Sequence, residues 1–169
     1  MTRQGHPLAF RLTRRSAGGV SIDREGLFVA GQPFDALLAA TRVLSTARVS
    51  IVLVDGYISH DVLELMSGKA EQVAVSILTK PSTLPSNIVT LANAFNRQYG
   101  RKGGLSIRTS NAFHDRFLII DDDQFYHFGA SLKDLGSRGS MFSRIEEPTM
   151  ITSLRRLVAD ELAKAAVIV

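Results

Sequence analysis

Apolar positions along the chain follow two periods, and where one gives way to the other a glycine, a proline or a short polar run intervenes. Residues 8–12 and 20–30 have the composition of short strands around the Ser16-Ala17-Gly18-Gly19 turn. Over 33–47 the spacing changes to three and four: Phe34, Leu37, Leu38, Thr41 and Leu44 form one stripe, and Pro33 suits the first turn of a helix. Residues 49–54 are an apolar run rich in β-branched side chains, the pattern of a strand covered on both faces, and it ends at Asp55-Gly56-Tyr57. Ser59 can cap a helix reaching about residue 67, with Val62, Leu63 and Met66 inward. A second apolar strand over 73–78 ends at Thr79-Lys80-Pro81, and 86–99 form a helix on Ile88, Leu91, Ala92 and Phe95. Gly103-Gly104 breaks the chain before a strand over 105–108. Residues 117–120 and 125–128 form a hairpin across Asp121-Asp122-Asp123-Gln124, since Asp side chains hydrogen-bond locally in turns. A last helix over 149–166 turns Ile151, Leu154, Leu157, Val158 and Leu162 inward. This alternation predicts one α/β domain over 1–169: a mixed, mainly parallel sheet with helices on both faces.

Composition narrows the function. The 169 residues are 45% apolar, enough for a substantial core. Cysteine is absent, which excludes disulfides and thiolate metal sites, and the four histidines lie too far apart in sequence to suggest a zinc pair. Metal-independent chemistry without a cofactor is the expectation. The polar, basic start lacks the apolar stretch of a signal peptide, and no apolar run is long enough to span a bilayer, so a cytoplasmic protein with no membrane partner is expected. The formal charge of +4 is a modest excess that favours polyanionic partners without naming one. Arg3, Arg11, Arg14 and Arg15 form one basic group, and Arg97, Arg101, Lys102 and Arg108 a second; both read first as solvated faces.

The densest chemistry lies in Phe113-His114-Asp115-Arg116-Phe117-Leu118-Ile119-Ile120-Asp121. Alternation along a strand puts His114 and Arg116 on one face. With Asp122-Asp123 as a two-residue turn, Asp121 faces Gln124, Arg116 faces Gly129, and His114 faces Ser131. An imidazole, a guanidinium, a position without a side chain and a hydroxyl would then share one patch suited to a phosphate. In the same register His127 falls opposite Leu118, on the His114 face, as a hydrogen-bonded buried histidine first and an accessory phosphate contact second. His6 and His60 read as surface or capping residues, Asp55 and Thr79 as turn or cap formers, and Asp122 and Asp123 as solvated turn residues. Tyr57 and Lys80, at strand ends where open α/β sheets collect ligand-binding groups, are candidates for a binding groove, and Lys133 is a further phosphate contact.

His114-x-Arg116-x-x-x-x-Asp121 resembles the His-x-Lys-x(4)-Asp signature of the phospholipase D superfamily, and Gly129-Ala130-Ser131-Leu132-Lys133-Asp134-Leu135-Gly136 resembles the Gly/Ser segment that follows it. The order of elements over about 27–145 fits one half of that fold. Two features depart from the pattern: Arg116 stands for lysine, and the asparagine of the Gly/Ser segment is missing, with Ser131 first among its replacements. The resemblance implies a metal-independent phosphodiesterase, a nuclease rather than a lipase, working through a phosphohistidine. His114 would be nucleophile or proton donor, Arg116 would hold phosphoryl oxygens, and Asp121 would support the site. One chain carries one motif, so two would meet across the two-fold axis of a homodimer acting on nucleic acid. The alternative is an inactive nucleic-acid-binding or assembly module that keeps the fold and its phosphate patch. The type of resemblance extends to a place in a larger defence or mobile-element system, which no residue specifies.

Overall fold

The computed structural model describes residues 24–169. The strand expected over 8–12 therefore lies outside the described residues, and that over 20–30 is seen as β1 (Glu25–Phe28). The elements then run α1 (Pro33–Leu44), β2 (Ser50–Val54), α2 (His60–Ser67), β3 (Ala74–Thr79), α3 (Ile88–Tyr99), β4 (Leu105–Thr109), β5 (Arg116–Ile120), β6 (Gln124–Phe128), β7 (Ser140–Ile145), α4 (Pro148–Lys164) and β8 (Ala166–Val167). All eight strands form one sheet in the order β1-β7-β6-β5-β2-β3-β4-β8.

The mixed sheet with helices on both faces is as expected, but the balance of directions differs. Only β2–β3 and β3–β4 are parallel; the other five pairings are antiparallel. The crossover helices α2 and α3 dictate the parallel pairs, because a return to the same sheet end needs a helix-length connection. Between β4 and β7 the chain folds back by shorter links, so β5, β6 and β7 form an antiparallel meander whose first strand zips onto β2.

Alternation along the strands divides the core in two. Ile51, Leu53, Ile77, Leu118, Ile120, Tyr126 and Phe128 pack beneath α1, α2 and α3, through side chains such as Ala40, Met66 and Ala92. Val54, Leu78, Ile119 and Phe125 pack beneath Leu154 and Val158 of α4. Burying a large aliphatic side chain contributes about 1.5–3 kcal/mol, so this two-sided burial of β2, β3 and β5 fixes the strand ends that carry polar groups. Among the described residues no helix is long and apolar enough to cross a membrane.

Candidate active site

The strand registers bring a row of side chains to one edge of the sheet. Thr79 pairs with Thr109, and Arg116 pairs with Phe128. Between them lies Asp55, one residue past the last β2 pairings, Val54 with Leu78 and Val54 with Phe117. All face the α1–α3 side. Among the described residues three buried side-chain polar atoms have no hydrogen-bond partner, Thr79 Oγ1, Arg116 Nε and Ser140 Oγ, and all three occupy this edge: the last residue of β3 and the first residues of β5 and β7. Buried polar groups are nearly always satisfied, so a cluster of exceptions marks a place where an outside ligand can supply the missing partner.

Asp55 is fully buried and holds the edge together. One oxygen accepts from the Tyr57 amide (3.0 Å); the other meets the Leu132 amide (2.9 Å) and the Ser131 hydroxyl (2.7 Å). Ser131 Oγ also lies 2.6 Å from the Tyr57 carbonyl. Serine has one proton and here two acceptors. With that proton on the carbonyl, the contact to Asp55 requires a proton on the carboxyl group. Burial pushes Asp55 above its ordinary 3.8, against the opposing pull of these hydrogen bonds and of the Arg116 charge. Ser131, expected at the reacting phosphate, is instead 3% exposed and consumed in this network. No sequence signal links residues 55 and 131 across 76 positions.

His114 stands two residues before β5, with 94% of its side chain exposed; its nearest charged neighbour is Asp115, 3.9 Å from Nδ1. Among the described residues the Arg116 guanidinium makes no hydrogen bond or ion pair. Asp55 lies across from it, but the Asp55 oxygens are taken by residues 57, 131 and 132. The cation is thus left with unspent donors in a half-buried setting, where a charge-assisted bond to an anion is strongest.

The hairpin departs from the two-residue turn. Its loop is Asp121, Asp122 and Asp123: Asp121 and Asp122 both have φ of 54°, and the Asp123 amide donates to the Ile120 carbonyl (3.0 Å). Ile120 therefore faces Gln124, and every pairing shifts by one. Arg116 faces Phe128 rather than Gly129. His127 faces Phe117 rather than Leu118, its ring centre 5.7 Å from that ring and tilted 55° to it, and so lies on the sheet face opposite Arg116. The cause is Asp121 itself. Its carboxylate accepts from the amides of Arg48 (2.9 Å), Val49 (2.7 Å) and Ser50 (2.9 Å), a clasp on the start of β2 that a tight turn would not allow. Asp121 is consequently about 16 Å along the strand from Arg116, five residues at ~3.3 Å each, and is not brought to the edge.

The remaining candidates divide. Gly129 donates to the Met141 carbonyl (2.8 Å), and a Cβ there would sit 3.2 Å from the same oxygen, so close pairing with β7 accounts for the glycine. Lys133 pairs with Asp134 (2.8 Å) and lines a groove of about 620 Å³ beside Phe34, Leu37 and Leu65, away from the strand ends. Tyr57 is 41% exposed, with Lys80 Nζ 5.8 Å from its ring centre. Asp122, expected to be solvated, bonds Arg155 of α4 (2.9 Å). Among the described residues no three His, Cys, Asp or Glu side chains gather as a metal-ligand set.

No protein-family model matches the sequence, and no curated protein matches it. Solved structures do. Nuc from Salmonella typhimurium, a phospholipase D family member, superposes with a TM-score of 0.62 at 16% identity, over 85% of this chain and 97% of its own. This chain has the phospholipase D fold. NucT from Helicobacter pylori superposes on the same fold with a TM-score of 0.61 at 16% identity, over 85% and 98% of the two chains. TrmBL2, an archaeal chromatin protein with a novel mode of DNA binding, gives 0.58 at 17% identity, over 89% of this chain and 56% of its own.

Proposed function

We propose that the protein is a metal-independent phosphodiesterase acting on nucleic acid, with His114 as nucleophile and Arg116 as phosphate clamp. The observation that carries this reading is the unspent Arg116 guanidinium, its Nε buried and unpartnered, on the edge where His114 projects into solvent. His114 attacks phosphorus, a P–N bond forms, and the P–O bond to the leaving group breaks. The leaving oxygen takes a proton from the partner subunit's His114, and water then cleaves the phosphohistidine and restores both imidazoles. Arg116 offers planar donors to the non-bridging oxygens, whose charge grows in the transition state. Tyr57 and Lys80 border the groove. Asp121 and Ser131 act through the fold: the first clasps the start of β2, and the second locks the loop after β6 onto Asp55. The similarity to Nuc and NucT, nearly full-length for both, supports the reading at the level of fold.

A second reading is a nucleic-acid-binding module without turnover. It is favoured by the absence of a fixed partner for His114, with only Asp115 nearby at 3.9 Å. An imidazole that must attack in one orientation is ordinarily held by a bond to its other nitrogen. Hydrolysis of a simple phosphodiester and of a labelled oligonucleotide in excess chelator separates the two. Turnover lost in His114→Ala supports the enzyme; binding without turnover supports the module.

A further inference from the structure

We propose that Tyr57 is a stacking platform for an unpaired base, with Lys80 as the neighbouring phosphate contact, so that the groove takes single-stranded rather than duplex nucleic acid. This deepens the reading above and rests on it. The argument begins with what the buried network holds. Asp55 and Ser131 are too deeply buried to meet a ligand, yet together they fix both polar backbone groups of one exposed residue: the Tyr57 amide donates to Asp55 (3.0 Å) and the Tyr57 carbonyl meets Ser131 (2.6 Å). A surface tyrosine needs no such anchorage. An aromatic surface that binds with little loss of entropy does.

The Lys80 ammonium lies over the Tyr57 ring, and the backbone that carries it is tied to the same loop. Gly56 brings the Lys80 stem close: a Cβ at residue 56 would lie 3.3 Å from Cδ and Cε of Lys80. Thr83 Oγ1 bonds the Gly56 carbonyl and lies 3.1 Å from the Lys80 carbonyl, tying the ends of β2 and β3 together. Among the described residues Lys80 Nζ has no carboxylate or hydrogen-bond partner; it rests 5.8 Å from the Tyr57 ring centre. Tyr57 follows the end of β2 by three residues and His114 precedes β5 by two, so both belong to the loops that leave the paired ends Val54 and Phe117. An exposed aromatic ring, an ammonium and a guanidinium at the ends of β2, β3 and β5 are the groups that suit a ligand alternating bases and phosphates. Duplex bases hide their faces in the stack, whereas a single strand presents them.

The test is fluorescence anisotropy in a His114→Ala background, with a labelled 20-nucleotide single strand and the matching duplex as probes. Tyr57→Ala is expected to weaken single-strand binding about five- to 150-fold, the usual worth of one stacked base, and duplex binding less than twofold. Tyr57→Phe keeps the ring and should stay within twofold, and its melting temperature controls for folding. Lys80→Gln should lower the salt slope by about one phosphate contact. Equal loss on both probes, or no loss on the single strand, overturns the platform while leaving a nucleic-acid protein standing. Binding of neither probe by the His114→Ala protein removes the nucleic-acid reading itself.

Discussion

Arg116 and Asp121 belong to one strand and one motif, yet they meet opposite fates. Arg116 opens β5 with its donors unspent; Asp121 closes it with three amides on its carboxylate. Their chemistry predicts different responses to substitution. His114→Ala should abolish phosphodiester turnover with no more than about 0.5 kcal/mol change in stability, because a solvent-exposed side chain away from structural contacts contributes little to folding. Arg116→Lys should keep more activity than Arg116→Ala, since charge survives when the planar fork is lost; equal inactivity would show that the fork itself is required. Asp55 supplies a pH signature. Its folded-state pKa is raised, chiefly by burial, so its contribution to stability is complete below about 3.8 and is lost as pH rises through the raised value. Urea melts across that interval should show stability falling for the wild type, and a flatter profile for Asp55→Asn. A profile unchanged by the substitution would mean that folding does not shift the Asp55 pKa.

At the scale of elements, helices and buried strands were legible from their apolar spacing, but the buried face was not always the one read: in α1 Phe34, Leu37 and Leu38 are exposed while Ala36, Ala40, Val43 and Leu44 are buried, and Leu157 of α4, expected inward, is exposed. α1, α2, α3, β2, β3 and β4 fall within a few residues of the positions that spacing predicts. β7 was not legible. Only Phe142 of its six residues is buried, so Ser140–Ile145 lacks both the alternation and the continuous run that betray a strand. The hairpin was legible as an element but not in its register. Turn chemistry permits two or three residues between β5 and β6, and the choice was made by a contact from Asp121 to residues 48–50, more than seventy positions away. For the same reason sequence pattern could not show that Ser131 bonds Asp55 or that the Asp121 carboxylate accepts from the amides of residues 48–50. Asp121→Ala should therefore cost about 2–3 kcal/mol through its lost amide bonds, measured by chemical denaturation. Burial raises the Asp121 pKa, and the hydrogen bonds from Ser50, Val49 and Arg48 with the Arg48 charge outweigh it. The net value is lowered, and this contribution persists above about 3.8 and fades as pH falls through the lowered value. Folded Asp121→Ala should retain turnover; complete inactivity in a folded protein would return Asp121 to the chemistry.

At the scale of the molecule, His114 is the histidine nearest to Arg116 in the chain. Of the other histidines among the described residues, His60 begins α2 beside Asp61, and His127 packs against Phe117. His127 is thus on the sheet face opposite Arg116. The proposed mechanism takes its separate acid from a second copy of the chain, joined as an isologous dimer with both His114 side chains in one groove. Kinetics of mixed subunits test this most directly. Wild-type and His114→Ala chains are co-refolded in varied ratio at constant total concentration, and oligonucleotide hydrolysis is followed in chelator. A shared site predicts activity falling as the square of the wild-type fraction, because heterodimers lack one of the two imidazoles. Activity falling in direct proportion, or full activity in a protein that sediments as a monomer, would contradict the shared site.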